Sequence, residues 1–234
     1  MVKSKSHRFF TVSFAFILFT IIGTLTHELG HITVAKLLGY ETRLHYESMS
    51  WDKGMLLNEL NTIYAEYQNP AELPPAIKIQ YEEVKRRLAQ DSFLITIGGL
   101  LQTIVTGLIG LVYLIFRRKK IAVTGLNIRD WLAVFLALFW LREPFNLVFS
   151  IGGGLYSGEN YFGSGDEVNI SQMLNIPVGI IPSVLGALGL LISCFVIFEI
   201  IPAGKRLDFI LGGLFGGISG YILWMKILGP ILLP

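Results

Sequence analysis

The sequence predicts an all-α protein: a polytopic membrane helical bundle of about five transmembrane helices, with a small helical region outside the membrane. Three observations predict it. Only 15% of the 234 residues are charged and 53% are hydrophobic, where an ordinary soluble domain carries about 25% charged residues. The apolar residues gather into five runs near the ~20 residues a bilayer crossing needs, at 9–39, 93–116, 131–151, 178–201 and 209–228. Short polar segments rich in Lys and Arg alternate with these runs.

The first run is too long for a simple crossing, about 46 Å if wholly helical. Its apolar part ends near Thr26, so its end is expected to tilt or protrude. Lys3, Lys5 and Arg8 precede it in the manner of a signal peptide. No small-residue cleavage site follows, so a retained helix is expected. In segment 40–92, Leu56, Leu57, Leu60, Ile63, Tyr64 and Tyr67 fall on one helical face. Ile77, Tyr81, Val84 and Leu88 form a second such face after Pro74 and Pro75. Two amphipathic helices at the membrane surface or a packed extramembrane cap would both fit. Glycines at 186–189 and 212–220 suit close helix packing in the last two spans. All five runs share one bundle, so residues 1–234 are expected to form a single domain, with 40–92 as an extramembrane insertion.

The net charge of +2 does not point to nucleic acid, because the basic residues sit between apolar runs. They orient the chain instead. Lys3, Lys5 and Arg8, then Arg117 to Lys120 with Arg129, then Lys205 and Arg206 would all be cytoplasmic. Segment 152–177 has no Lys or Arg and would lie outside. The 40–92 insertion has six basic and nine acidic residues and votes weakly. The expected orientation is N-terminus cytoplasmic. The single cysteine, Cys194, excludes an intramolecular disulfide and reads as a small buried hydrophobe.

One segment carries chemistry. Thr26-His27-Glu28-Leu29-Gly30-His31 contains H-E-x-x-H. Residues i and i+4 share a helical face, so His27 and His31 can offer two imidazoles to one metal. Glu28 beside them can take a proton from a water that the metal activates, while the metal polarises a carbonyl. Ionisable residues are costly in a membrane span and are functional by default. The plainer alternative is a His/Glu cluster that only bonds neighbouring helices.

These residues resemble the site-2 protease family of intramembrane zinc metallopeptidases. THELGHITVAKLLGY is similar to that family's first motif, with Gly39 as its later glycine. Ile97-Gly98-Gly99-Leu100-Leu101-Gln102 resembles the Gly-rich opening of the next core helix, with Gln102 where Asn is common. Pro144-Phe145-Asn146-Leu147 is similar to the Asn-Leu start of the later motif. The resemblance implies a Zn2+ cofactor, a membrane protein substrate cleaved in or beside the bilayer, and a third ligand from a Leu-Asp-Gly motif. The sequence has no Leu-Asp-Gly, and the nearest match is Asp166 in Gly163-Ser164-Gly165-Asp166-Glu167.

Asp166 and Glu143 compete as the third ligand. The expected orientation puts Asp166 on the same membrane face as the end of the first span. Its alternative is a place in the first turn of a short helix that carries Val168, Ile170, Met173 and Leu174, with Ser164 and Glu167 as a capping box. Glu143 lies within the third run, where a carboxylate needs a partner; Arg142 is the simple one. Asn146 could donate to the oxyanion of a tetrahedral intermediate or merely bond another helix. His7 and His45 read as solvated or interfacial, and Lys36 as a snorkelling residue. The reading that follows is a zinc metalloendopeptidase with His27, His31 and Asp166 as ligands and Glu28 as base. Its rivals are a non-catalytic metal-binding membrane protein, either transporter or protease-like scaffold, and a two-His, one-Glu site completed by Glu143.

Overall fold

The computed structural model describes residues 2–67, 69, 73–158, 162, 163 and 165–234. Helix α1 (Val2–Leu37) is followed by a hairpin of β1 (Thr42–Leu44) and β2 (Met49–Trp51), then α2 (Gly54–Tyr67) and α3 (Pro75–Thr124). Helix α4 (Ile128–Ala137) continues through a 3-10 turn at Leu138–Leu141 into α5 (Arg142–Ser157). Then come α6 (Asp166–Met173), α7 (Ile180–Phe195), α8 (Ala203–Ile222) and α9 (Gly229–Leu232). Among the described residues, five helical segments are long and apolar enough to cross a membrane: Ser6–Leu37, Pro75–Thr124, Ile128–Ser157, Ile180–Ile200 and Ala203–Leu232. Their outer faces are apolar and exposed, as at Phe10, Phe14, Ile109, Phe116, Leu191 and Leu214. That is the inverse of a soluble bundle and suits a lipid surround.

Two expectations from the sequence need correction. The second amphipathic face is not a separate helix. Residues 75–92 are the first turns of α3 and run unbroken into the next span. From Ala76 to Thr96 no Gly or Pro interrupts a helix-compatible sequence, so nothing stops propagation. The first face does form its own helix, α2. The antiparallel hairpin, pairing Thr42 with Trp51 and Leu44 with Met49, has no counterpart in the sequence reading; its strands are three residues each, too short for a period to show. The expected cap at Ser164 lies outside the described residues.

Glycines bring the helices together where the sequence places them. On α8, a Cβ at Gly216 would lie 2.3 Å from the Ser13 carbonyl oxygen of α1, so α1 and α8 pack backbone to backbone. On α7, a Cβ at Gly189 would lie 2.4 Å from the Trp140 carbonyl oxygen and 2.6 Å from Pro144 Cδ. Pro144 has no N–H to return to Trp140, and the 3-10 turn and the α7 glycine both sit at that defect. The apolar core, with Leu114, Val134, Leu138, Val196 and Phe209, lies towards the C-terminal half of α3.

A second polar feature anchors this end. Asn127 caps α4 in a reciprocal box with Asp130. Asp130 is fully buried and accepts from Arg117 Nε at 3.0 Å and Nη2 at 3.2 Å. Arg206 donates to the Ile201 and Phe198 carbonyls, which Pro202 and the end of the α7 segment leave free. Arg8 pairs with Asp208 and Arg118 with Glu199, so the basic segments of the sequence gather at one end of the bundle.

Candidate functional site

The His27 cluster is built on one close contact between α1 and α3. Gly30 on α1 faces Gly98 on α3; a Cβ on Gly30 would lie 2.6 Å from the Gly98 carbonyl oxygen, and one on Gly98 2.7 Å from that of Gly30. Gly99 gives the His31 ring its room: a Cβ there would lie 2.2 Å from Nε2. With the two backbones in contact, His31 Nδ1 reaches the Ile95 carbonyl at 2.6 Å. The same Nδ1 lies 3.2 Å from the Gly99 backbone nitrogen, so α3 holds that side of the ring while Nε2 faces the His27 and Asp166 atoms. His27 Nδ1 meets Thr103 Oγ1 at 3.0 Å, and its Nε2 turns the same way as that of His31.

Asp166 completes the group from the first turn of α6. Its Oδ2 lies 2.8 Å from His27 Nε2 and 3.1 Å from His31 Nε2, and the two nitrogens are 3.2 Å apart. Burial by itself would raise the Asp166 carboxyl. The His27 and His31 rings at its Oδ2 win and hold it well below the ordinary carboxylate range. For bonds of about 2.0–2.1 Å a tetrahedron has edges of about 3.3 Å. The three atoms therefore stand close to the spacing of one face of a tetrahedral site, and two nitrogens and one carboxylate oxygen are donors that zinc accepts. Both imidazoles have their second nitrogen fixed by α3, as metal-binding histidines require.

Glu28 is also buried, and its carboxylate lies within 4.8 Å of the histidine ligand atoms. With His31 and Asp166 it lines a cleft of about 370 Å3, walled by Ile95 of α3, Arg142 and Asn146 of α5, and Met49 and Trp51 of the hairpin. The hairpin is tied down at its base. Tyr40 donates to Asp91 of α3 and packs against the Trp51 ring, and burial together with the Asp91 carboxylate pushes the Tyr40 phenol up to about 12.

The other singled-out residues are placed as follows. Glu143 is buried but makes no hydrogen bond or ion pair with His27, His31 or Arg142 among the described residues. It faces Glu167 instead. Asn146 Nδ2 donates to Glu167 Oε1 at 3.1 Å while Asn146 also lines the cleft. Glu167, expected to cap α6, is buried and held by Asn146. His45 bonds the Pro234 carbonyl and Ser50, away from the cluster. Lys36 is exposed at the last turn of α1.

Sequence reasoning missed Arg142, taken only as a partner for Glu143. Arg142 lines the cleft with Glu28 and His31, and its Nε is buried with no hydrogen-bond partner among the described residues. Pro144 two residues on, which marks an irregularity in the span, is the nearby sequence signal. Thr103, the partner of His27, carries no sequence mark beyond lying in a span. No protein-family model, no curated protein and no solved structure matches the chain.

Proposed function

We propose that the protein is an integral membrane zinc metalloendopeptidase that hydrolyses peptide bonds in membrane-embedded or juxtamembrane segments of other proteins. The observation that carries this reading is the meeting of Asp166 Oδ2 with the Nε2 atoms of His27 and His31 at 2.8 and 3.1 Å, beside a buried Glu28 in a cleft. The resemblance of the Thr26–His31 segment and of Gly98-Gly99 to site-2 proteases supports it. Glu143 as the third ligand is the weaker alternative, because no contact joins it to either imidazole.

His27, His31 and Asp166 would hold the zinc, with Ile95 and Thr103 holding the second nitrogen of each ring. Zinc, when bound, supplies a Lewis acid that activates water and polarises a carbonyl. Glu28 takes the proton of the attacking water and passes it to the departing amine. Arg142 brings positive charge to the cleft, where negative charge builds on the scissile carbonyl oxygen, and Asn146 stands beside it. The substrate segment must unwind first, because helical carbonyls are already hydrogen-bonded.

The orientation read from the basic segments puts the N-terminus in the cytoplasm and this site near the other face. The Arg8–Asp208 and Arg118–Glu199 pairs at the opposite end of the bundle support it. Cysteine labelling at position 157 in a Cys194→Ser background tests that point, and modification only from the cytoplasmic side would overturn it.

For the function itself, the full chain is purified in mild detergent and its metal measured by elemental analysis. One zinc per chain is expected, lost in His27→Ala/His31→Ala, together with cleavage of a reconstituted single-span substrate. Stoichiometric metal retained in the double variant would sink the reading.

A further inference from the structure

The elbow between α3 and α4 forms an open concave pocket of about 450 Å3 that plays no part in the chemistry above. It lies at the far end of α3 from the His27 cluster. Ile95 and Gly99 mark the cluster's level, and Arg117 lies about 20 residues further on, ~30 Å along a helix. That distance matches the thickness of a bilayer's hydrocarbon core, so the pocket and the His27 cluster stand about one core thickness apart along α3.

Its charges do not cancel. Arg117 is matched by buried Asp130, which also accepts from Tyr113 and from the backbone N–H of Asn127. Lys120 and Arg129 line the same cavity and have no carboxylate within 4.0 Å among the described residues. Two positive charges are therefore left over around one concave space.

The flank of the cavity is apolar and outward-facing. Phe116 lies one turn from Lys120 on α3 and is 84% exposed. Ile128 and Leu132, on one face of α4 beside Arg129, are 82% and 54% exposed. A free anion could use the charges but not this flank. A molecule with a phosphate and hydrocarbon chains would use both.

We propose that this elbow is a binding site for an anionic phospholipid. Its phosphate lies between Lys120 and Arg129, Arg117 is held in place beside it by Asp130, and the acyl chains run over Phe116, Ile128 and Leu132. Basic pockets between spanning helices at a membrane surface recognise lipid headgroups in this way.

The full chain in a neutral detergent is titrated with dioctanoyl phosphatidylglycerol, dioctanoyl phosphatidylcholine, or glycerol phosphate, and bound adducts are counted by native mass spectrometry. One phosphatidylglycerol is expected to bind with a preference of about 10-fold over phosphatidylcholine. Lys120→Gln/Arg129→Gln should abolish the preference. Lys119→Gln, which removes an adjacent charge outside the cavity, should leave it. Equal loss in the Lys119 variant would show a diffuse surface charge and overturn the site. Glycerol phosphate competing as well as the lipid would make it a soluble-phosphate site and overturn the lipid assignment. Absence of any preference would overturn both.

Discussion

Helix α3 grips two buried polar clusters, one near each end of its membrane-spanning part, and they are built on different principles. At Asp130 the donors converge on one acceptor. Two Arg117 nitrogens, the Tyr113 hydroxyl and the Asn127 N–H all point at one carboxylate, and the charges cancel. At His27 the groups converge without cancelling. Two imidazole nitrogens and a carboxylate oxygen crowd within 3.2 Å, and among the described residues Arg142 Nε has no partner and Glu143, beside Glu167, has no donor to either oxygen. Inside a membrane both clusters are costly. The first repays that cost in its own hydrogen bonds. The second does so only if something else enters, which is why the geometry of His27 reads as a site and that of Asp130 as a joint.

The sharpest way to break this contrast is Glu28→Gln. It should lower cleavage by about 10²–10⁴-fold, the range general-base catalysis supplies, with zinc content unchanged by elemental analysis. Undiminished cleavage would remove Glu28 from the role of base, and unchanged biological activity without cleavage would favour a protease-like scaffold. Asp130→Ala probes the other cluster. It removes the acceptor shared by Arg117, Tyr113 and the Asn127 N–H and should lower stability, seen as a lower midpoint in thermal unfolding, while metal stoichiometry holds. Metal loss without a change in midpoint would show that the clusters are not separate in role.

A smaller effect is expected for Asp166→Asn, which should weaken zinc binding by at least ~10-fold in a chelator competition titration. Smallest is Glu143→Gln. It removes a buried carboxylate that has no donor, so stability should move by less than about 1 kcal/mol, upward. Metal content should not change. If the last two variants trade places in the metal titration, Glu143 is the ligand and Asp166 is a helix-start residue.

How much of this was legible in the sequence follows from the range of each interaction. Spans and their number depend on local apolarity, and all five runs correspond to helices long and apolar enough to cross a membrane. The shared face of His27 and His31 follows from spacing alone. Asp166 comes from 135 residues beyond His31, and only the count of crossings between them puts both at one end of the bundle. In the sequence Arg142 reads only as a partner for Glu143, because no local pattern shows that it lines a cleft shared with α1 and the hairpin. The hairpin was invisible because three-residue strands have no measurable period. The unbroken run of α3 was missed for another reason: prolines at 74 and 75 mark where a helix starts, but nothing marks where an amphipathic face gives way to a lipid-facing one.

That unbroken run has a mechanical consequence. Helix α3 is a rod of about 75 Å, with its outer arm at 75–92 and its closest backbone-to-backbone bearing at Gly110, where a Cβ would lie 2.3 Å from the Ala137 backbone nitrogen. From that bearing to Ile95 is about 22 Å, so a tilt of about 5° swings the Ile95 carbonyl by roughly 2 Å. The His31 hydrogen bond to that carbonyl is only 2.6 Å long. Leverage on the outer arm is therefore leverage on an imidazole, and the stiffness of one helix sets how far a load outside the membrane is felt inside it.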